Sequence, residues 1–444
     1  MRSLLTSILL LVTLTLTAQK PIDSTLIHEP DYDSITLQLY HQQNWDSLLI
    51  TGKKALKAGY DYFNIQVRTG AAAYHLRKYS LAARYLEEAI TLNSKDDYAN
   101  ELLFYAYTFT GRSAQAAHLL DHLSKAKSRE LTKNYRNPTF YLEAGPVFNT
   151  DAKISGHIPV PDSLLFNEQY TEQNAFYLLA GWKQPVGKYL TLNTAVSHIN
   201  LNKNRSTNIR YVDSLSGDFT VKQTEFYISP SVCLNKRVLL IPALRYAVTN
   251  VAEPFSSDDS ITKLYLGSPI GIKYNNLVVG GEIIYARNYW QASMGAWHLS
   301  INDDRSMQVS ASVMVLPLGN LDLYSTTGVS FKSDQKSQPL FATQTIGFKT
   351  FNRTWLELSA TKGNLVNTVE LNAQLLNNQV VKSNYRLASL LIFDLNTQFR
   401  LTLRYQFMEN EALTYFTESD NAVQSAYSNY YKHIITGGVT WNVR

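Results

Sequence analysis

The stretch Phe399–Phe407 reads FRLTLRYQF, and its side chains alternate strictly between two kinds. Phenylalanine, leucine and tyrosine occupy every odd-numbered position, whereas arginine, threonine and glutamine occupy the even-numbered ones. Because successive side chains of a β-strand point to opposite faces, one face of this strand is apolar and the other is polar. Similar segments recur from about residue 139 to the end of the chain. This pattern predicts an antiparallel transmembrane β-barrel, apolar toward lipid and polar toward its lumen.

The composition of the whole chain limits the classes of protein to which it can belong. A length of 444 residues favours more than one folding unit. The mean hydropathy of −0.19 excludes a polytopic helical membrane protein, while the 29 tyrosines suit strands and the boundary between water and lipid. The formal net charge of +5 is small for this length, and no block of lysine and arginine resembles a nucleic-acid-binding arm. We therefore expect no nucleic-acid partner.

The first 30 residues predict export. Residues 1–18 carry an early positive charge at Arg2, an apolar core over residues 4–16 and a small residue at Ala18. This is the pattern of a cleaved signal peptide, and residues 19–30 are predicted to form a flexible lead. Together with the barrel pattern, the signal predicts a protein of the cell outer membrane whose N-terminal domain lies in the periplasm.

Residues 31–136 predict pairs of antiparallel helices that recur with a period of 34 residues. The clearest unit covers residues 63–96, where small side chains alternate with large ones and allow two helices to pack closely. The residues that we assign to repeat packing are Trp45, Gly70, Tyr79, Ala82, Ala89 and Ala116. The unit resembles a tetratricopeptide repeat (TPR), and an ordinary helical hairpin domain is the alternative. Either arrangement implies a stacked helical surface for docking a partner.

The boundary between the two predicted domains lies near residue 137. A basic run over residues 125–136 precedes Asn137-Pro138, where proline disfavours helical geometry in the residue before it. The basic side chains either meet lipid phosphates at the rim of the barrel or form a solvated helix end. We assign residues 137–444 to the barrel.

The barrel segment divides into about sixteen strands, and twelve to sixteen are compatible with the pattern. Short hairpin turns are predicted at Asn235-Lys236, Asn275-Asn276 and Asn352-Arg353. Residues 365–375 also alternate between apolar and polar side chains and are predicted to be a wall strand. An even strand number follows if both ends of the barrel segment lie in the periplasm.

Two groups of barrel residues are singled out by the pattern. Charged side chains on the polar faces of late strands are candidates for the lumen: Glu357, Glu370, Arg400 and Arg404. The final segment resembles the terminal assembly signal of outer-membrane barrels through Thr436, Gly438, Trp441 and Val443. That resemblance implies recognition by the barrel assembly machinery. A soluble all-β sandwich is the alternative, but its outward faces would carry more charge.

No catalytic residue, cofactor site or metal site is predicted. His118 and His122 lie four apart on a predicted helix, but two imidazoles without further ligands make a weak site. Acidic pairs such as Asp303-Asp304 are read as solvated loop carboxylates, with calcium binding as the alternative. The single cysteine, Cys233, lies in an alternating segment and is read as a plain strand residue.

The dipeptide Asp-Ser recurs, for example at Asp33-Ser34 and Asp46-Ser47. With the residue that follows, it resembles the O-glycosylation site of Bacteroidota, and turn formation is the alternative.

The order of domains resembles the outer-membrane proteins of exporters of poly-N-acetylglucosamine and cellulose, and repeat-plus-barrel proteins of Bacteroidota. This resemblance implies a scaffold or a transport and export component. Three classes follow, each with its own expectation. An export pore for polysaccharide or small solutes predicts a water-filled lumen, whereas a scaffold that docks a periplasmic or outer-membrane protein predicts a filled one. A barrel enzyme predicts clustered reactive groups, and the spacing shows none, so the chain is not expected to be an enzyme.

Overall fold

The computed structural model describes residues 31–149, 166–209, 215–252, 271–333, 340–378, 382–417 and 423–443. The predicted signal peptide and lead lie outside these ranges. The described chain is a helical N-terminal region followed by a closed antiparallel β-barrel.

The helical region contains seven α-helices and one 3-10 turn at Leu119–Asp121. The α-helices are α1 (Tyr32–His41), α2 (Trp45–Lys57), α3 (Phe63–His75), α4 (Tyr79–Leu92), α5 (Asp97–Phe109), α6 (Ser113–His118) and α7 (Lys125–Tyr135). The starts of α2, α4 and α6 are 34 residues apart, as are those of α3 and α5. The sequence period is therefore a period of helix starts. None of the described helices has the length and apolar character needed to cross a membrane.

Close packing of small residues holds the helices together. Ala82 and Ala89 of α4 are fully buried, and a Cβ added to Gly70 of α3 would lie 2.7 Å from Cγ of Leu86. The Asp31 and Asn44 side chains accept hydrogen bonds from the backbone N–H groups of Ser34 and Ser47, which caps α1 and α2. Both described Asp-Ser pairs thus lie in first helical turns.

The strands follow α7 after a three-residue link. They are β1 (Thr139–Asn149), β2 (Phe166–Val186), β3 (Leu190–Ile209), β4 (Leu215–Cys233), β5 (Val238–Val251), β6 (Ile272–Ala286), β7 (Trp290–Ile301), β8 (Asp304–Val315), β9 (Leu323–Ser333), β10 (Leu340–Phe351), β11 (Thr354–Gly363), β12 (Thr368–Glu370), β13 (Leu375–Asn377), β14 (Ser383–Asp394), β15 (Phe399–Thr417) and β16 (Val423–Asn442).

Fourteen of these strands close the barrel in the described part of the chain. Each pairs antiparallel with its neighbours along the chain, and β1 closes the ring against β16. Short turns join β2 to β3, β4 to β5, β6 to β7, β8 to β9, β10 to β11 and β14 to β15, all at the end where β1 begins. We call this the helical end, because the helical region contacts its turns, and we call the other the far end.

The prediction of about sixteen wall strands was wrong: the wall has fourteen. Residues 365–375 do not form a wall strand, because β11 pairs directly with β14, with Thr361 opposite Arg386. The residues between them form the small β12–β13 hairpin, which is a separate sheet. The turn predicted at Asn275-Asn276 is also wrong, since both residues lie within β6.

The outer face of the wall is apolar and bordered by aromatic rings. Leu403 is 53% exposed on that face, where Phe399 stacks on Trp441 with ring centroids 6.1 Å apart. Eight residues farther along β15, the ring of Phe407 lies 5.4 Å from that of Tyr431. Eight residues span about 26 Å of extended strand, which matches the apolar band of a tilted membrane strand.

Candidate functional site: a polar lumen closed by a hairpin

The inner wall of the barrel carries a continuous polar network. Arg245 of β5 donates to the Glu225 carboxylate of β4, which also accepts from the Ser197 hydroxyl at 3.1 Å. Farther toward the far end, the Thr249 hydroxyl donates to Oε1 of Gln223 at 2.8 Å. The wall thus pairs many of its own charged and polar groups across neighbouring strands.

Residues 364–378, which contain β12 and β13, fold into this lumen, and we call them the plug hairpin. Its two strands share three residue pairs, from Thr368 with Asn377 to Glu370 with Leu375. Its tip has three consecutive residues with left-handed backbone angles, Leu371, Asn372 and Ala373, at φ of 52°, 53° and 60°. Residues other than glycine adopt this region at a cost, so the tip is a strained turn.

Polar contacts fix the plug hairpin to several strands of the wall. The Gln308 side chain of β8 makes two hydrogen bonds with the Val369 backbone, donating to its carbonyl at 2.7 Å and accepting from its N–H at 2.9 Å. On β4, the Tyr227 hydroxyl donates to the Asn372 carbonyl at 3.1 Å, and on β5, Arg245 donates to the carbonyl of Gln374. The hairpin therefore lies across the lumen rather than along one strand.

An ion pair joins the plug hairpin to β14. The Arg386 guanidinium contacts both carboxylate oxygens of Glu370, at 2.9 and 2.5 Å, and also donates to the Thr361 hydroxyl at 3.2 Å. Both charged side chains are at least nine-tenths buried. This bidentate geometry is the strong form of the arginine–carboxylate contact.

The plug hairpin also makes an apolar contact with the wall. Val369, Ala373 and Leu376 pack in a cluster with wall residues of β3 to β7 that include Trp297 and Leu299. The Trp297 ring covers Gly295 of its own strand, where an added Cβ would lie 2.0 Å from the ring. The absence of a side chain at Gly295 is therefore what allows the indole to lie flat against the wall.

The lumen between the plug hairpin and the helical end leaves open space around its inward-facing side chains. Lys183 of β2 points inward near this end and is exposed, and the side chain of Arg404 is one-third exposed beside Glu143, at 3.4 Å. The Tyr324 hydroxyl donates to Glu357 at 2.5 Å within the same region. In contrast, Gln308 and Arg245, at the height of the plug hairpin, are 1% and 4% exposed. The barrel thus has an open inner chamber and, beyond it, a level that the plug hairpin fills.

A buried ionic cluster holds the helical region on the helical end. Glu87 of α4 lies 3.5 Å from Arg112 and accepts a hydrogen bond from the Tyr107 hydroxyl at 2.8 Å. Arg112 stacks on the Tyr107 ring at 3.8 Å and donates to the carbonyl of Lys236, in the β4–β5 turn, at 2.8 Å. Burial raises the pKa of the Tyr107 phenol well above its usual range, so this phenol stays a neutral hydrogen-bond donor. We call this group the seam cluster.

Further contacts spread the seam over two other turns. The backbone N–H of Ser80 donates to the Gly319 carbonyl at 2.8 Å, and Arg77 pairs with Asp322 at 2.9 Å. Asp121 accepts from Lys188 and from the Tyr189 hydroxyl of the β2–β3 turn. These two donors lower the pKa of the Asp121 carboxyl, and the contact with Asp121 raises the pKa of the Tyr189 phenol.

The residues assigned to repeat packing lie within the helical core or at its edge. Trp45 stacks on His75 with ring centroids 4.0 Å apart, and Tyr79 lies 4.7 Å from the Phe109 ring. Ala116 is buried, like the α3 and α4 residues described above.

The four lumen candidates lie at three different places. Glu357 and Arg404 line the inner chamber, whereas Arg400 pairs with Asp394 at 2.6 Å near the helical end of the wall. Glu370, expected on a wall strand, instead belongs to the plug hairpin. Glu225 and Arg245 are not among the residues predicted from the sequence, although each is a charged residue within an otherwise alternating strand segment.

The residues of the proposed assembly signal lie on β16 and just beyond it. Thr436 points inward and donates to Glu143, and Gly438 faces Thr402, whose hydroxyl would lie 2.5 Å from an added Cβ. Trp441 is exposed on the outer face, and the Val443 N–H donates to the Pro138 carbonyl at 2.9 Å.

The described residues contain no group of three or more histidine, cysteine, aspartate or glutamate side chains arranged to hold a metal ion. His118 lies beside the Tyr189 ring at 5.0 Å, which gives it a place in the seam. The buried thiol of Cys233 donates to the Asn235 carbonyl at 3.3 Å.

No protein-family model and no curated protein matches the chain. Among solved structures, the toluene transporter TodX of Pseudomonas putida is 8% identical, with a TM-score of 0.41 over 71% of this chain and 92% of that one. The translocator domain of the autotransporter NalP of Neisseria meningitidis is 9% identical, with a TM-score of 0.31 over 76% of this chain and 100% of that one. A bacterial polysaccharide outer-membrane secretin is 10% identical, with a TM-score of 0.34 over 70% of this chain and 99% of that one. At these identities and TM-scores, the likenesses assign neither a family nor a substrate.

Proposed function

We propose that this protein is a transport or export component of the outer membrane, closed at rest by the plug hairpin. The observation that carries the proposal is the polar inner wall, which continues beneath the hairpin as the Gln223, Glu225 and Arg245 network. At the level of the hairpin the wall combines this paired network with an apolar cluster around Trp297 and Leu299, whereas the wall nearer the helical end carries charged side chains such as Glu357 and Arg404. A polar wall suits a lumen that water enters.

The location follows from the same wall. The apolar outer band with its aromatic borders supports insertion in outer-membrane lipid by the barrel assembly machinery. The turns at the helical end are all short, which is typical of the periplasmic end of such barrels. We therefore assign the helical region to the periplasm.

The helical region supports a second role as a docking module. Its 34-residue spacing of helix starts and its small packing residues resemble TPR repeats, which we propose bind a periplasmic or outer-membrane protein. A scaffold that only anchors this module is the alternative function, and the occupied lumen favours it. A pore that exports polysaccharide or small solutes is the more specific form of the transport proposal. The proposal includes no catalysis, no cofactor and no nucleic acid.

An experiment that opens the lumen distinguishes the transport function from the scaffold function. The full chain and a variant in which a short Gly-Ser linker replaces residues 365–377 are reconstituted in planar bilayers. Transport predicts steady conductance in the variant and a mostly closed full chain. A variant that folds, judged by its shift on unheated gels, but does not conduct would favour the scaffold.

A further inference from the structure

The ion pair between Glu370 and Arg386 differs from the charged contacts around it. Arg245 and Glu225 both belong to the wall, as do Arg404 and Glu143, so each pair stays together whatever the hairpin does. Glu370 belongs to the hairpin and Arg386 to the wall. Displacement of the hairpin therefore removes the carboxylate that Arg386 holds.

The groups that the wall contributes form a small anion-binding set. The Arg386 side chain is 10% exposed and donates to both carboxylate oxygens of Glu370, with the Thr361 hydroxyl beside it. Thr361 in turn contacts the Thr343 hydroxyl at 3.0 Å, which fixes it on the inner face of β11. A guanidinium fork with neighbouring hydroxyls is the donor geometry that fits carboxylates and phosphates.

We propose that Glu370 occupies an anion site of the wall, and that Arg386 with Thr361 selects carboxylate-bearing or phosphate-bearing solutes when the plug hairpin leaves. This inference rests on the proposed transport function. The hairpin then acts as a tethered competitor, because its carboxylate and the solute need the same donors. A basic group on the wall of a narrow lumen favours the passage of anions by the electrostatics that anion-selective pores use.

The test measures ion selectivity in the opened chain, in which the Gly-Ser linker replaces residues 365–377. In a potassium chloride gradient, the sign of the reversal potential should report a preference for chloride. Inorganic phosphate should reduce the chloride current. Arg386→Gln in the same chain should lower the anion preference severalfold and abolish the effect of phosphate. The control is Arg305→Gln, which removes an exposed arginine of β8 and should change neither property.

A point variant covers the case in which the linker variant fails to fold. Glu370→Gln in the full chain keeps the shape of the side chain and removes its charge, so transient openings with the same chloride preference should become more frequent. A cation preference, or an anion preference that survives Arg386→Gln, would overturn the anion site alone. A folded linker variant without conductance would overturn the transport function and the site together.

Discussion

Two parts of this chain are attached to the barrel wall, and they are held in different ways. The helical region is fixed by the seam cluster, in which Glu87, Arg112 and Tyr107 are all buried and mutually paired. The plug hairpin is held by hydrogen bonds from wall side chains to its backbone, by one described ion pair and by an apolar contact. Removing Glu87 leaves the charge of Arg112 buried, whereas a hairpin that leaves the lumen admits water, which can replace its hydrogen bonds and solvate Arg386. The difference indicates a permanent attachment at one end and a displaceable element inside.

The largest expected effect comes from the seam cluster. Glu87→Gln leaves the buried Arg112 without its carboxylate, which should destabilise the docked helical region by about 3–5 kcal/mol. Loss of the helical circular dichroism signal in urea, measured on the full chain, reports this change. The matched control is Glu88→Gln, one residue along α4 and exposed. Equal midpoints for the two variants would show that the seam is no stronger than a surface contact.

The next prediction tests the wall on which both elements rest. Leu403→Arg places a charge on the lipid-facing side, at a cost of about 2–4 kcal/mol near the bilayer centre. Thr402→Arg faces the lumen, where Arg404 already lies, and should assemble much better. Both are compared by their yield of heat-modifiable barrel in outer-membrane fractions. Equal defects would mean that the faces are assigned wrongly.

A smaller effect is expected within the helical core. Ala82 is fully buried, so the larger side chain of Ala82→Leu should overpack the helical core. We expect this to destabilise the helical region by about 1–3 kcal/mol. Capture of a periplasmic partner by crosslinking should be lost while the amount of assembled barrel stays near normal. Arg84→Leu on the exposed face of the same helix should leave capture unchanged. If Ala82→Leu reduces barrel abundance equally, docking and assembly are not separable.

The smallest effect concerns pH. The contacts with Lys188 and Tyr189 lower the folded-state pKa of Asp121. They therefore stabilise docking at pH values above the ordinary pKa of an aspartate carboxyl, which is about 4. This contribution is lost as the pH falls through the folded-state pKa, and partial exposure limits it to below about 1 kcal/mol. Protease sensitivity of the β2–β3 turn should rise with acid in the native chain. Asp121→Asn should already show the acid level at neutral pH, and an unchanged acid response in that variant would contradict the assignment.

The wall was predictable where its pattern is local. Alternation in Phe399–Phe407 corresponds to the outer and inner faces of β15, because the two-residue period of a strand does not depend on distant contacts. The 34-residue period of the helices was also predictable, because it too is a pattern along the sequence that does not depend on distant contacts. Residues 365–375 alternate equally well, yet they form the plug hairpin, since alternation does not say which sheet a strand joins. Their turn was concealed because Leu371 and Ala373, which are not usual turn residues, adopt left-handed angles there.

Hydrogen exchange on the reconstituted full chain tests the contrast between seam and hairpin most directly. Amides of a displaceable element exchange through local opening, whereas those of a permanent core wait for larger unfolding. We expect the Val369 amide of the plug hairpin to exchange well before that of Leu299 in β7 and before that of Leu86 in α4. Exchange of Val369 as late as that of Leu299 would show that the hairpin is part of the permanent core and is not displaceable.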